Sequence, residues 1–120
     1  MTREASPTHD PQATCDSDEH AGPFKPPADL PACQRAADIF SALGDPNRLR
    51  LLTLLMHGEM CVTEIAQTLN DNLSAVSQRL KLLRNQRIVS YRREGKHVVY
   101  WLDDDHVLQL ILNALAHAEE

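Results

Sequence analysis

Residues 72–102, NLSAVSQRLKLLRNQRIVSYRREGKHVVYWL, change their hydrophobic period once along their length. In the first half, four apolar residues recur at helical spacing and predict an amphipathic helix with these side chains facing inward: Leu73, Val76, Leu80 and Leu83. In the second half, apolar and polar residues alternate on both sides of a turn at Glu94 and Gly95, which predicts a β-hairpin. The chain therefore passes from a helix directly into a hairpin.

Polar and basic side chains are concentrated on both of these elements. The outward face of the helix carries residue types that can reach base edges and phosphates from a major groove: Ser74, Ser77, Gln78, Arg79, Lys81 and Arg84. Four basic residues lie near the hairpin tip, where they suit a phosphate backbone or a minor groove: Arg92, Arg93, Lys96 and His97. A solvated helix with an incidental charged hairpin would carry similar residues, so this alternative stays open.

The sequence upstream predicts three further helices. The first runs from residue 31 to a stop at Gly44, and the second has Asp45 as its N-cap and ends at Gly58. The third, CVTEIAQTLN, is followed by a polar turn at residues 70–72 and forms a pair with the helix described above. The predicted fold is mostly α with a β-hairpin, a winged helix-turn-helix. The C-terminal helix described below adds the prediction of a dimer, with that helix as the dimerisation helix.

Length and charge fit one DNA-binding domain. The chain has 120 residues, which we divide into a mobile acidic arm at residues 1–30 and a single domain at residues 31–120. The net charge of −5 hides a basic segment, because residues 73–96 carry seven Lys and Arg against one Glu, a local charge of +6. There is no run of 18 apolar residues and no signal-peptide pattern, so we expect a cytoplasmic protein.

The last predicted helix carries a polar stripe that we call the seam. It consists of His106, Leu110, Asn113, His117 and Glu120, with four apolar residues beside it: Val107, Leu108, Ile111 and Leu115. His106 and His117 are eleven residues apart, about 16 Å along a helix. One zinc ion, with bonds of about 2.0–2.1 Å, can use both histidines only if they come from two chains. Antiparallel pairing of two such helices would create two equivalent sites.

Two carboxylates complete the predicted ligand set. Asp104 should lie at the start of the helix, where its side chain can turn inward, and Glu120 shares a face with His117. Two nitrogens and two oxygens from Asp104, His106, His117 and Glu120 form a closed tetrahedral shell, which favours a sensing or structural Zn(II) over a catalytic one. Taken alone, these residues favour the alternative that residues 103–105 only cap the helix and that the histidines are solvated; it is the family resemblance given below that favours the metal site.

Three cysteines, an odd number with irregular spacing, argue against a disulfide framework. Cys61 opens the third helix, where the positive helix end favours a thiolate, and Glu64 lies one turn further on. These two residues could be half of a second metal site. Cys33 in the first helix is predicted to be a packed apolar residue.

Several long motifs together resemble the ArsR/SmtB family of metal-sensing bacterial repressors, and its zinc-sensing SmtB-like branch in particular. They are ALGDPNRLRLLTLL, CVTEIAQTL, SAVSQRLKLLRNQRIVSYRREGKHVVYWL and the terminal Asp-x-His and His-x-x-Glu set. The resemblance covers about residues 35–120. It implies a homodimer that binds double-stranded operator DNA when metal-free and leaves it when zinc binds.

The resemblance also implies roles that spacing alone does not assign. A main-chain carbonyl near Arg87 would accept a hydrogen bond from His117 and so link the metal to the DNA-binding helix. The site at Cys61 would take ligands from the partner's N-terminal arm, for which Cys15 and His20 are the candidates. Thr63 occupies the place of the second thiol in the branch that binds softer metals, which makes cadmium, lead or arsenic sensing less favoured.

Two rival functions follow from the same residues. A dimeric metalloenzyme would need an open coordination position and an activating base, which the sequence does not supply, so we expect no enzyme. A DNA-binding repressor could instead be switched by the thiols of Cys61 and Cys15 or by a soft metal bound there.

Overall fold

The computed structural model of the protein describes residues 22–120. Five helices and three strands follow one another in this part of the chain: α1 Leu30–Leu43, α2 Pro46–Leu55, β1 Met60–Cys61, α3 Val62–Leu69, α4 Leu73–Asn85, β2 Val89–Glu94, β3 His97–Leu102 and α5 Asp105–Ala118. Helices α3 and α4 with the β2–β3 hairpin form the predicted winged helix-turn-helix. Residues 1–21, which include Cys15, His20 and most of the predicted arm, lie outside the described residues.

Side-chain caps determine where four of the helices begin. A backbone N–H in the first turn of α1, α2, α4 and α5 donates to the side chain of the N-cap residue, at 2.7–3.0 Å, and these residues are Asp29, Asp45, Asn72 and Asp104. Each cap contributes about 1 kcal/mol. Helix α3 starts differently, because the Cys61 N–H donates to Glu64 Oε1 at 2.9 Å. Such caps are local signals, so the observed helix starts lie close to the predicted ones.

The core is built around the inner face of α4. Val76, Leu80 and Leu83 are fully buried, as predicted, in one cluster with apolar residues of α2, α3, the hairpin and α5. Leu73, predicted to join them, is instead 52% exposed. It lies in the first turn of α4, beyond the edge of the core, and lines an open groove beside His97.

The hairpin belongs to a three-stranded antiparallel sheet with the order β1-β3-β2. Strand β1 was not predicted, because two residues are too short to show a period; Met60 pairs with Tyr100 and Cys61 with Val99. Glu94 pairs with His97, so the turn consists of Gly95 and Lys96, one residue later than predicted. Gly95 has φ of +59°, a left-handed conformation that glycine adopts at no steric cost.

Helix α2 ends at Leu55, three residues before the predicted stop at Gly58. The N–H groups of His57 and Gly58 donate to the carbonyls of Leu54 and Leu55, at 3.1 and 3.3 Å, so the chain closes into a tighter turn here. Gly58 has φ of +144°, a conformation closed to other residues, and it leads the chain into β1.

Helix α1 packs on the domain only at its C-terminal end. Ala42 and Leu43 are buried, while Leu30 and Phe40 are 69% and 59% exposed. Cys33 is also exposed, so its prediction as a packed residue is wrong: its part of α1 extends beyond the core of the single chain. The Arg48 guanidinium donates to the carbonyls of Ser41 and Ala42 and fastens this end of α1 to α2.

Within residues 22–120, every helix is too short or too polar to span a lipid bilayer.

Candidate metal centre and nucleic-acid interface

The N-terminal end of α5 carries the first pair of candidate metal ligands, Asp104 and His106. Asp104 is the N-cap, as predicted: its Oδ1 accepts from the N–H groups of His106 and Val107 at 2.9 and 3.1 Å. The imidazole Nδ1 of His106 lies 3.9 Å from the same oxygen, and its side chain is fully exposed. Because Asp104 caps the helix through Oδ1, its second oxygen, Oδ2, is left to bind a metal ion.

The other end of α5 carries the second pair, His117 and Glu120. The helix ends at Ala118, so Glu120 lies just past it, and its N–H donates to the His117 carbonyl at 3.3 Å. The His117 Nδ1 is 3.8 Å from Glu120 Oε2, and the two side chains are 86% and 75% exposed. This pair mirrors the first one in composition, with one imidazole and one carboxylate.

The spacing within each pair fits zinc. Two donors on one tetrahedral zinc ion, with bonds of about 2.0–2.1 Å, lie about 3.3 Å apart. His106 Nδ1 lies 3.9 Å from the capping oxygen of Asp104, and His117 Nδ1 lies 3.8 Å from Glu120 Oε2. Both separations slightly exceed the value for zinc, and rotation of the exposed imidazoles can change them. Within residues 22–120 no three His, Cys, Asp or Glu side chains are grouped so that they could hold an ion. One chain thus offers two half-shells at opposite ends of α5.

Helix α5 has a buried face and an exposed face. Val107 and Ile111 are 1% exposed and pack into the core, whereas Leu110 and Leu112 are 38% and 40% exposed. All five residues of the seam, His106, Leu110, Asn113, His117 and Glu120, are exposed. The apolar residues beside the seam hold the helix on the domain and turn the seam outward.

The outer face of α4 presents most of the residues predicted to contact DNA. Ser74, Ser77, Gln78 and Lys81 are exposed, and Arg79 and Arg84 are half-buried. Arg79 Nη1 donates to Asp71 Oδ2 at 2.5 Å, and this bond lowers the pKa of Asp71. The Arg84 guanidinium lies 4.8 Å from the ring centroid of Tyr91, which stacks on Tyr100. Both arginines therefore brace α4 against its neighbours.

Arg92, a predicted DNA contact on the hairpin, is held by two carboxylates. Its guanidinium donates to Glu59 at 2.8 and 2.5 Å and to Glu94 at 2.5 Å, and it lies 5.6 Å from the ring centroid of Trp101. These bonds raise the pKa of Arg92 and lower that of Glu59. Sequence reasoning missed Glu59, which is 33 positions from Arg92 and carries no local signal.

Two other cations on the hairpin are better placed for a phosphate. Arg93 and Lys96 are exposed, as is His97. Among the ion pairs of residues 22–120, none involves Arg93 or Lys96. Their charge is directed to solvent at the hairpin tip, where an incoming polyanion would meet it.

An open cavity of about 460 Å³ lies between the start of α3 and the hairpin. Its lining residues are Cys61, Thr63, Glu64, Glu94, His97 and Val99. Glu64 has a lowered pKa, first because its carboxylate accepts from the Cys61 N–H and second through the Cys61 side chain. The structure thus places His97 beside the predicted pair Cys61 and Glu64, a neighbour that sequence spacing did not reveal.

Arg87, predicted to relay the metal signal, lies at the joint between α4 and β2. It has φ of +61°, and its N–H donates to the Arg84 carbonyl at 2.9 Å. No hydrogen bond joins it to His117 within residues 22–120 of one chain. The predicted contact between these two residues stays a prediction for the metal-bound state.

Comparisons with known proteins bear on the family and the fold. The sequence model for "Bacterial regulatory protein, arsR family" matches residues 45–91. The chain is 45% identical over 91 residues to the transcriptional repressor SmtB homolog of Synechocystis sp., which spans 76% of this chain and 69% of that protein. It is 41% identical over 85 residues to the cadmium resistance transcriptional regulatory protein CadC homolog of Staphylococcus aureus, with 70% of each chain covered.

A solved structure shows the same architecture. The homodimeric winged helix-turn-helix DNA-binding domain Mb0332 from Mycobacterium bovis, a possible ArsR-family transcriptional regulator, superposes with a TM-score of 0.69 at 30% identity. The match covers 81% of this chain and 92% of that one.

Proposed function

The chain belongs to the arsR family of bacterial regulatory proteins, whose members among its relatives are transcriptional regulators and not enzymes, and from that premise we propose that it is a zinc-responsive repressor. As a homodimer it binds operator DNA when metal-free, and it leaves the DNA when zinc binds at two sites shared between the subunits. Residues 31–120 carry both DNA binding and dimerisation. The observation that carries the proposal is the pair of complementary half-shells at opposite ends of an exposed helix face.

An uncovered apolar surface on α1 and α5 supports a homodimer. Phe40 and Leu110 are 59% and 38% exposed. An apolar cavity of about 340 Å³ lies between the two helices and α2, and its lining residues are Phe40, Leu43, Gly44, Leu49, Leu110, Ile111 and Ala114. Contiguous exposed apolar surface of this kind is typical of association sites. A second copy, packed antiparallel along α5, covers it.

The antiparallel arrangement also completes the metal shell. Asp104 and His106 of one chain meet the partner's His117 and the partner's Glu120, and a two-fold axis repeats the contact. A zinc ion bound by these four residues would hold the two α5 helices in one fixed register. Asp104 can keep its cap while it binds, because only one of its oxygens accepts from α5.

Mixed nitrogen and oxygen donors favour zinc over softer metals. The CadC homolog concerns cadmium resistance, and thiolates are the ligands that suit soft ions best. In this chain Thr63 stands two residues after Cys61, and the seam offers imidazoles and carboxylates only. The α5 donors therefore support the proposal of zinc rather than a soft ion.

DNA binding uses α4 in the major groove and the hairpin beside it. The exposed polar face of α4 offers Ser77, Gln78 and Lys81 to base edges and phosphates. Arg93 and Lys96 at the hairpin tip extend the contact along the backbone. A dimer would present two α4 helices to successive major grooves, a match that depends on their separation.

Release follows when the two α4 helices no longer match the grooves. As a hypothesis, His117 uses one ring nitrogen as a ligand and donates from the other to the Arg87 carbonyl. Arg87 follows Gln86, the C-cap of α4, and has a left-handed conformation that fixes the direction of the chain. A pull on its carbonyl would therefore change the position of α4 relative to the partner's.

The test is a titration of metal into the protein on a labelled promoter fragment. Zinc should lower the operator affinity of the wild type, and the substitutions His106→Ala and His117→Ala should abolish this effect while metal-free binding persists. His57→Ala is the matched control, because His57 is an exposed histidine outside α5. Release of His117→Ala by zinc at wild-type concentrations would refute the site.

The cavity at Cys61 favours a second, separate metal site. Cys61 and Glu64 line it together with His97, and we assign Cys15 and His20 of the partner chain as the remaining donors. Zinc stoichiometry separates the sites: we expect four ions per wild-type dimer and two per Cys61→Ser dimer. A variant with Ser in place of both Cys15 and Cys61 should still be released from DNA by zinc. Loss of this release would instead indicate the thiol-switched repressor.

A further inference from the structure

Two joints of the fold lie side by side and are tied together by hydrogen bonds. One joint connects α4 to β2, and the other connects β3 to α5. The Asp103 N–H donates to the Ile88 carbonyl at 3.0 Å, which continues the β2–β3 ladder one step past the Val89–Leu102 pair. The Ser90 hydroxyl donates to Asp103 Oδ2 at 2.5 Å. The joint before α5 is thus bonded once to the joint after α4, through Ile88, and once to the strand that follows that joint, through Ser90.

The first of these joints is fastened to the last turn of α4. The Ile88 N–H donates to the Leu83 carbonyl at 3.0 Å, and the Arg87 N–H donates to the Arg84 carbonyl at 2.9 Å. Ile88 and Val89 are 1% and 2% exposed, so the segment has little room to move by itself. A displacement of this joint has to carry the end of α4 with it.

The second joint leads directly to the N-terminal ligand pair. Asp103 precedes Asp104, whose carboxylate caps α5 by accepting from His106 and Val107. Asp104 alone makes this cap, so the carboxylate of Asp103 is not needed for the helix. Its described partner is Ser90, on the strand that follows α4.

We propose that Ser90 and Asp103 are positioning residues that couple the Asp104–His106 pair to α4 within one protomer. The inference rests on the proposed function. It adds a second connection between the zinc site and α4, which does not depend on the proposed contact between His117 and Arg87. Asp104 is held both by the cap and by its neighbour Asp103. When the Asp104 carboxylate turns toward an ion shared between the chains, Asp103 moves with it. The bonds of Asp103 to Ser90 and Ile88 then transmit the shift to the end of α4.

The experiment compares Ser90→Ala with Ser90→Thr, which keeps the hydroxyl. Operator affinity is measured by fluorescence anisotropy with and without zinc, zinc affinity is measured on the protein alone, and circular dichroism confirms folding. Metal-free operator affinity should stay within about twofold of the wild type in both variants. The zinc-induced loss of operator affinity should shrink by about fivefold or more in Ser90→Ala, within the usual range of coupling between sites, and should be retained in Ser90→Thr.

Two further measurements keep the outcomes distinct. Amide hydrogen exchange of Asp103 in the metal-free protein should be faster in Ser90→Ala than in Ser90→Thr, a change that needs no metal. Asp103→Ala, which removes the oxygen that accepts from the Ser90 hydroxyl, should lose coupling as Ser90→Ala does, and it decides the matter if Ser90→Ala does not fold. If zinc releases the wild type and all three variants equally, the positioning role is refuted. If zinc does not release the wild type, the proposed function fails and this inference fails with it.

Discussion

Asp104 has two separable tasks, and two substitutions distinguish them. Its Oδ1 accepts two hydrogen bonds at the start of α5, and its carboxylate charge is part of the proposed zinc shell. Asn at this position keeps a capping oxygen but loses the charge, whereas Ala loses both. Asp104→Asn therefore tests the metal role with the helix start intact, and Asp104→Ala adds the cost of the cap.

The expected magnitudes differ between the two tasks. Loss of an N-cap costs about 1 kcal/mol, and Asn caps about as well as Asp. The lost charge near the helix N-terminus costs Asp104→Asn about 0.3–1 kcal/mol. Asp104→Ala should lower the free energy of unfolding by about 1 kcal/mol more than Asp104→Asn does, which corresponds to about 4–8 °C in Tm for a domain of this size. Even residues that only orient a ligand can change metal affinity by about 10–100-fold, so both variants should lose at least about tenfold in zinc affinity.

The assay combines thermal unfolding of the metal-free protein with a zinc titration, both at one protomer concentration because a dimer's Tm depends on it. Asp104→Asn should unfold close to the wild type and yet resist zinc-driven release from DNA. If Asp104→Asn is released at wild-type zinc concentrations, Asp104 is not a ligand. Equal Tm values for Asp104→Ala and Asp104→Asn would contradict the capping argument.

Three further results are expected. Lys96→Ala should weaken operator binding and reduce the slope of log affinity against log salt by about 1, whereas Arg92→Ala should leave that slope nearly unchanged, because two carboxylates already hold Arg92. Leu80→Ala, at a fully buried position, should cost about 2–5 kcal/mol in urea unfolding, and Leu73→Ala, at a 52% exposed one, much less. The hydrogen bond from Arg92 lowers the pKa of Glu59 from its ordinary value of 4.5. The ion pair therefore stabilises the fold fully above pH 4.5, and this stabilisation is lost as the pH falls through the lowered pKa. Glu59→Gln should accordingly have a lower Tm than the wild type at pH 7 and the same Tm in strong acid.

The features that could be predicted are those encoded within one or two turns of chain. Asp45 and Asp104, predicted at helix starts, are the N-caps of α2 and α5. Asn72, predicted only as part of a polar turn, is the N-cap of α4. The inward face of α4 and the alternation in the hairpin are periodic signals of the same short range. They were sufficient to predict the winged helix-turn-helix fold.

The features that could not be predicted depend on distant partners. The bond between Glu59 and Arg92 joins residues 33 positions apart, and β1 exists only because β3 offers it a ladder. Cys33 lies on a helix that the single chain leaves uncovered, so helical spacing gave no information on its burial. The candidate metal ligands are an intermediate case. Their spacing predicts two pairs and a second chain to complete each shell, but the structure of a single chain does not test that second chain.

Subunit mixing tests most directly whether each zinc site is shared between two chains. One variant carries Asp104→Ala and His106→Ala, and the other carries His117→Ala and Glu120→Ala. Both also carry Cys61→Ser, which removes the second proposed site, so neither homodimer should bind zinc tightly. In a mixed dimer one site combines the intact pair of each chain, so mixing should restore one tight zinc site and zinc-driven release from DNA. If the mixture binds no more zinc than the separate variants, the ligands of each ion do not come from two chains.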